Sequence, residues 1–187
     1  MIPSFVPKSL FPGIPEPAEP HPEHPVAEYD EVGALVRDVM THKVVTVEPS
    51  DSLYRAAALL VQHDIVGMPV IEGAHKVIGI LTEKDIVRVL RERLGVEMPR
   101  GLFELVVETS EVAQAALLQR LRASLTELRV LVAMTTPAKT TAPEVPALDA
   151  AREMLQLGVH QLPVVEHEDL VGIVSRADVL GPYRRRS

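Results

Sequence analysis

The sequence predicts an α/β (α+β) protein built from two copies of one small β-α-β-β-α unit. Two observations predict it: an ordered series of residues occurs twice, and apolar runs of strand length alternate with segments of helical spacing. The chain has 187 residues, of which 47% are hydrophobic and only 3% aromatic. We therefore expect an aliphatic core shared by two small units.

The repeat is a series of matching residues in the same order. Its early members recur 94 positions later: Val36, Met40, Thr41, Pro69 and Val70 match Val130, Met134, Thr135, Pro163 and Val164. Its late members recur after 93 positions: Gly79, Thr82 and Asp85 match Gly172, Ser175 and Asp178. Leu53 matches Leu148 after one inserted residue. We expect these slips to lie in turns, where insertions are tolerated.

The first copy divides into five elements. It begins with a β-prone run, followed by a turn that starts a helix. Two apolar runs separated by a polar bend come next, and a last helix is capped by Thr82. In order they are 44–47, a helix from Leu53, strands 68–71 and 77–81 as a hairpin, and a helix over 83–94.

Composition divides the rest of the chain. Eight of the sixteen prolines lie in the first 25 residues, so a regular helix or central strand is not expected there. A helical insert separates the repeats, with Ser110 as its expected N-cap. Its apolar stripe is expected to pack on the two-unit body rather than on a partner chain, and consists of Val112, Ala116, Leu118, Leu121, Leu125 and Leu128. The predicted divisions are a Pro-rich arm or linker 1–28, the first repeat 34–94, the insert 95–128, the second repeat 129–181 and a basic tail 182–187.

Charge and composition argue against several functions. The net charge of −7 and the lack of Trp do not favour nucleic-acid binding. The sequence has no Cys, and no apolar run approaches the length of a membrane span. We expect a cytoplasmic protein without a membrane segment. His21 and His24 are expected to be solvated rather than metal ligands, and no metal site is predicted.

The strongest chemical signal is a repeated Thr/Ser-x-x-Asp motif after an apolar strand. It reads Thr82 to Asp85 in the first copy and Ser175 to Asp178 in the second. A helix that starts at the hydroxyl residue offers free N–H groups to a phosphate, and the carboxylate can accept hydrogen bonds from ribose hydroxyls. The same residues could act only as helix caps, and a duplicated cap would also repeat. Both interpretations stay open on the residues alone.

Together with these motifs, the runs Val-Arg-Asp-Val-Met-Thr (36–41), Thr-Val-Glu-Pro (46–49), Gly-Met-Pro-Val (67–70) and Gly-Ile-Leu-Thr-Glu-Lys-Asp (79–85) resemble a cystathionine-β-synthase (CBS) domain. Residues from Met134 to Asp178 resemble a second one. The resemblance implies two units packed sheet to sheet about a pseudo-twofold axis, with a cleft for AMP, ADP, ATP or a related adenosyl ligand in each half. It also implies a regulatory role toward an unknown partner protein, and a homodimer.

The resemblance further implies roles for individual residues. The Asp of each motif would hold the ribose and the hydroxyl residue the phosphate, while neighbouring loops and strands line the base and phosphate positions. The expected ligand-binding residues are Thr41, Lys43, Thr46, Met68, Pro69, Thr82, Lys84, Asp85, Thr135, Lys139, Thr140, Leu162, Pro163, Ser175, Arg176 and Asp178.

The two copies differ where ligands would bind. Gln161 stands where the first copy has Gly67, and Arg176 where it has Glu83. The two clefts are therefore expected to differ in affinity or in the number of phosphates bound. No motif places a nucleophile or a general base, so no catalytic residue and no required cofactor are predicted, and the adenine nucleotide is a regulatory ligand. The alternative is a structural or interaction scaffold with empty clefts.

Overall fold

The computed structural model describes residues 33–95 and 111–180. The elements follow the chain in this order: α1 Val36–Val39, α2 Leu53–Gln62, β1 Gly67–Glu72, β2 Lys76–Thr82, α3 Glu83–Leu94, α4 Glu111–Glu127, α5 Val130–Ala133, α6 Ala147–Gln156, β3 Gln161–Glu166, β4 Asp169–Ser175 and α7 Arg176–Leu180. The arm 1–28, the first part of the insert and the basic tail lie outside the described residues, as do His21, His24 and the proposed cap Ser110.

Two antiparallel hairpins form one four-stranded sheet in the order β1-β2-β4-β3. The hairpins meet where Lys76 pairs with Asp169, beside a hydrogen bond from the Leu170 N–H to the His75 carbonyl (3.0 Å). Each hairpin has an irregularity at the same place in its outer strand, between residues 70 and 71 and between residues 164 and 165. This mixed α/β architecture confirms the predicted fold class.

The tips of the hairpins explain the change of repeat offset. In the first hairpin Glu72 pairs with Lys76. In the second, Glu166 pairs with Asp169 across His167 and Glu168, which both have positive φ. Two consecutive residues with positive φ suit a two-residue hairpin loop. The second tip is one residue shorter, so the predicted slip lies in a turn.

The β-prone run 44–47 is not a regular strand. It is reduced to one parallel bridge, in which Val47 donates to the Pro69 carbonyl (3.2 Å) and accepts from the Ile71 N–H (2.9 Å). Thr141 makes the equivalent bridge beside Val164. Pro49 follows within two residues and begins a turn, which leaves no room for a longer ladder.

Local signals set the bounds of the longer helices. Ser52 caps α2 by accepting a hydrogen bond from the Arg55 N–H (3.2 Å). Thr82 caps α3, which ends at Gly95 with φ 60°, in the left-handed region that glycine adopts without strain. Structural equivalence also corrects one detail of the repeat: both helices start at a buried residue, so Leu53 aligns with Ala147 at the offset of 94, not with Leu148.

The two repeats exchange their first segments. The short helix α1 of the first repeat packs through Val36 and Val39 into the core around α6, β3 and β4. The short helix α5 of the second repeat packs through Val130 and Ala133 into the core around α2, β1 and β2. A sequence repeat therefore does not form a hydrophobic core by itself, and each of the two cores contains residues from both repeats.

The predicted amphipathic helix of the insert is confirmed as α4. Leu121 and Leu125 are buried in the first core, and Leu118 packs against its edge. The apolar stripe thus packs on the two-unit body, as expected. Ala116 of the same predicted stripe is exposed.

Candidate functional site

The first Thr-x-x-Asp motif forms a reciprocal cap at the start of α3. Oδ2 of Asp85 accepts hydrogen bonds from the Thr82 N–H (3.0 Å) and the Thr82 hydroxyl (2.6 Å). The Asp85 N–H donates in return to Thr82 Oγ1 (3.4 Å). This is a capping box, which satisfies backbone donors at the helix start and fixes the carboxylate.

The second motif has the same geometry. Oδ2 of Asp178 accepts from the Ser175 N–H and from the Ser175 hydroxyl, both at 2.7 Å. The Asp178 N–H donates to Ser175 Oγ (3.3 Å). Both carboxylates are half-buried and held in the same way, so the sequence repeat is also a repeat of geometry.

Asp85 faces the second repeat through its other oxygen. Oδ1 lies 3.5 Å from the Thr135 hydroxyl and 3.6 Å from Nη2 of Arg88. The same Arg88 nitrogen donates to the carbonyl oxygen of Ala133, at the end of α5 (3.0 Å). The structure therefore brings together Thr82, Asp85 and Thr135, which the sequence placed in different repeats.

Glycine allows the exchanged segments to approach the hairpins. A Cβ on Gly79 would lie 2.9 Å from the Thr135 carbonyl oxygen, and one on Gly172 would lie 3.2 Å from that of Thr41. Thr41 exchanges backbone hydrogen bonds with Ile173 (2.9 and 3.0 Å), and Thr135 does the same with Ile80 (2.9 and 3.0 Å). Each predicted Met-Thr segment thus lies on the hairpin of the other repeat.

Four of the expected ligand contacts are buried residues of the outer strands. Met68 and Leu162 lie fully inside the two cores, and the carbonyls of Pro69 and Pro163 accept hydrogen bonds from Val47 and Thr141. Their side chains build the wall behind the motifs rather than an open surface. Their role as ligand contacts stays a prediction.

The expected phosphate-binding residues are dispersed. Lys84 is exposed in the first turn of α3, beside the Asp85 motif. Arg176 is half-buried and donates from Nη2 to the Met154 carbonyl (3.0 Å), at the C-terminal end of α6. The remaining polar candidates lie on the loops before the Val47 and Thr141 bridges: Lys43, Thr46, Lys139 and Thr140.

Gln161 and Gly67 meet across the two hairpins. A Cβ on Gly67 would lie 2.6 Å from Nε2 of Gln161, so the amide occupies space that only glycine leaves open. Nε2 is buried without a hydrogen-bond partner among the described residues. The position at which the two copies differ, Gly67 in one and Gln161 in the other, is therefore also a point where the two copies are in contact.

Sequence reasoning missed two residues beside the first motif. Arg88 follows Asp85 by three positions, a helical spacing that could have indicated the ion pair. Its bond to Ala133 depends on the exchange of segments and has no local signal. The Thr136 hydroxyl donates to the Ile78 carbonyl (2.8 Å), which also requires the exchange.

Within 33–95 and 111–180, no group of three or more His, Cys, Asp or Glu is arranged to hold a metal ion. In this part of the chain, none of the helices is long and apolar enough to cross a membrane.

The fold and the duplicated motif agree with the comparisons with known proteins. The family model described as "CBS domain" matches residues 36–92 and again 127–183. The chain belongs to the CBS-domain family and carries two copies of the domain.

Three relatives show the extent of the similarity. An uncharacterized protein of Methanocaldococcus jannaschii, MJ1426, is 31% identical over 152 residues, which cover 78% of this chain and 89% of the relative. The CBS domain of a CBS-domain-containing membrane protein from Sphaerobacter thermophilus has a TM-score of 0.64 at 32% identity, covering 80% of this chain and 87% of that one. Arabidopsis thaliana CBSX2 in complex with AMP has a TM-score of 0.59 at 26% identity, covering 81% and 96%.

Proposed function

We propose that this protein is a non-enzymatic regulatory module that binds an adenine nucleotide or related adenosyl ligand in two clefts, one beside each Thr/Ser-x-x-Asp motif. As part of the proposal it acts in the cytoplasm as a homodimer and signals to a partner protein. The similar CBSX2 structure contains AMP, which supports the ligand class.

One observation carries the proposal. At both motifs the helix cap uses Oδ2 of the carboxylate. An ionised carboxylate has about four acceptor positions, so Oδ1 retains capacity for the hydroxyls of a ribose. At Asp85 this oxygen faces Thr135, where a ligand would contact both repeats at once. Capping and ligand binding are therefore compatible uses of one residue.

The location of this oxygen suggests how binding could be communicated. Because Asp85 and Thr135 belong to different repeats, a ligand that bonds to both would favour one arrangement of the repeats over others. A ligand shifts an equilibrium only by its difference in affinity for the two states. A contact that spans the two repeats supplies such a difference.

Titration calorimetry of nucleotide-stripped protein tests the proposal. AMP, ADP, ATP, NAD and S-adenosylmethionine are titrated into the native protein and into Asp85→Ala, Asp178→Ala and Asp149→Ala. Asp149 is the matched control, because it is also an acidic residue in the first turn of a helix but lies outside both motifs. We expect dissociation constants on the order of micromolar, about −8 kcal/mol, that weaken in the two motif variants only.

The alternative function is a scaffold with empty clefts. It is favoured by the capping boxes, which account for Thr82, Asp85, Ser175 and Asp178 without any ligand. If none of the five compounds binds to protein that circular dichroism shows to be folded, the scaffold function replaces the sensor. Equal weakening by Asp149→Ala would also contradict the proposed sites.

The absence of catalysis is tested separately. Purified protein is incubated with ATP or ADP, and the nucleotides are separated by chromatography. We expect unchanged nucleotide, because no base or nucleophile is assigned to the site. Turnover that disappears in Asp85→Ala would overturn this part of the proposal.

A further inference from the structure

The outer face of α6 carries two large apolar residues in contact with little of the described chain. Leu148 is 46% exposed and Leu155 is 65% exposed. Positions seven residues apart lie on the same face of a helix, so the two leucines form one apolar stripe along α6. The stripe is a surface on which another segment can pack.

The opposite half of the molecule has the equivalent helix, α2, in the same setting. Alignment at the offset of 94 places Tyr54 at the position of Leu148 and Val61 at that of Leu155. The Leu53 N–H at the start of α2 donates to the Leu128 carbonyl (2.9 Å). In the same way, the Ala147 N–H at the start of α6 donates to the Ala34 carbonyl (2.8 Å). The residues that pair with the start of each helix, Leu128 and Ala34, are therefore also equivalent at the offset of 94.

In the first half, the arriving chain packs against α2 around Tyr54, while Val61 at the other end of the helix stays 38% exposed. The residues before Leu128 form α4, which buries Leu121 and Leu125 in the core that contains α2. The Arg122 guanidinium of α4 lies 5.6 Å from the centre of the Tyr54 ring. Tyr54 is half-buried, whereas its counterpart Leu148 is exposed.

We propose that residues 26–32, which lead into Ala34, cover the Leu148–Leu155 stripe of α6 within the same chain. Their sequence, Val-Ala-Glu-Tyr-Asp-Glu-Val, supplies Val26, Tyr29 and Val32 as apolar contacts. Seven residues can span at most about 23 Å, and α6 with its ten residues is about 15 Å long. The segment is therefore long enough to cover both leucines.

Engineered disulfides test the proposal cleanly, because the chain has no native cysteine. Leu155→Cys is combined in turn with Val26→Cys, Tyr29→Cys and Val32→Cys in the full chain. The control pairs the same three changes with Val61→Cys, at the equivalent position of α2. After mild oxidation, non-reducing gels and intact mass separate intramolecular from intermolecular disulfides.

We expect an intramolecular disulfide in at least one Leu155 pair, formed about tenfold more than in its Val61 control, since packing raises the effective concentration of the two thiols. Equal yields with both partners, or no disulfide in any Leu155 pair, would overturn the proposal. A covalent dimer formed by Leu155→Cys alone would assign the stripe to a second copy instead.

A second measurement does not depend on register. Leu155→Glu places a charge in the apolar stripe. Because Leu155 is a surface residue, the fold is retained. If residues 26–32 cover this face, protease cleavage within them becomes faster in Leu155→Glu and stays unchanged in Val61→Glu. Unchanged cleavage in both variants would contradict the coverage.

Discussion

Arg88 donates a hydrogen bond from Nη2 to the backbone carbonyl oxygen of Ala133, over 3.0 Å, and so connects α3 of the first repeat to α5 of the second. The same guanidinium lies 3.6 Å from Asp85 Oδ1. The position 93 residues after Arg88 is Gly181, so the second repeat has no counterpart. The two halves are therefore joined differently around their motifs.

Arg88→Ala is expected to lower the free energy of unfolding by about 1 kcal/mol, because a charged donor is lost at a carbonyl that closes a helix end. The side chain is 50% exposed, which keeps the loss small. Arg55→Ala is the control, because Arg55 makes only a local ion pair, with Asp51 four residues earlier in the chain. Urea denaturation should show a smaller change for Arg55→Ala, and an equal change would contradict a role for the Ala133 bond.

Gly79→Ala and Gly172→Ala should differ although they are equivalent in the repeat. A Cβ at 79 meets the Thr135 backbone carbonyl at 2.9 Å, whereas a Cβ at 172 first meets the Met40 sulfur at 2.5 Å. A methionine side chain can move aside more readily than backbone that is hydrogen-bonded to Ile80. We expect a loss of about 1–3 kcal/mol for Gly79→Ala and a smaller one for Gly172→Ala. Thermal melting of the two variants measures the difference.

The sequence was sufficient for the elements with strong local signals. Thr82 and Asp85 cap α3 as their spacing predicts, and the hairpins follow from apolar runs separated by turn residues. The run 44–47 has β propensity, but its single bridge depends on Val70 lying beside Val47, which is a tertiary relationship. Propensity alone could not set its length.

The exchange of first segments was beyond sequence reasoning for a physical reason. Val36 and Val130 are equivalent and both apolar, so each could pack equally on its own repeat or on the other one. Nothing local distinguishes the two arrangements. The meeting of Asp85 with Thr135, and of Arg88 with Ala133, follows from that exchange and could not be predicted.

Leu125→Ala tests whether α4 is an integral part of the first core. Leu125 is 1% exposed and packs with α2 and α3 residues, so truncation leaves a cavity and should cost about 2–5 kcal/mol. Leu131→Ala, at a leucine that is 60% exposed on α5, should change stability little. Similar urea midpoints for Leu125→Ala and the native protein would show that the core does not need the insert.

Thr141→Val should stabilise the protein. Thr141 is 8% exposed, and its Oγ1 is buried without a hydrogen-bond partner among the described residues. Leaving a buried hydroxyl unpaired costs about 1–3 kcal/mol, so a side chain of the same shape without it should raise the free energy of unfolding by about 1 kcal/mol.

The first repeat supplies the control for this change, because its equivalent bridge is made by Val47, which has no hydroxyl. The reverse change, Val47→Thr, should lower stability by a similar amount, and urea midpoints at constant m-value measure both. If Thr141→Val is instead destabilising while Val47→Thr behaves as expected, the Thr141 hydroxyl has a hydrogen-bond partner in solution that offsets its burial.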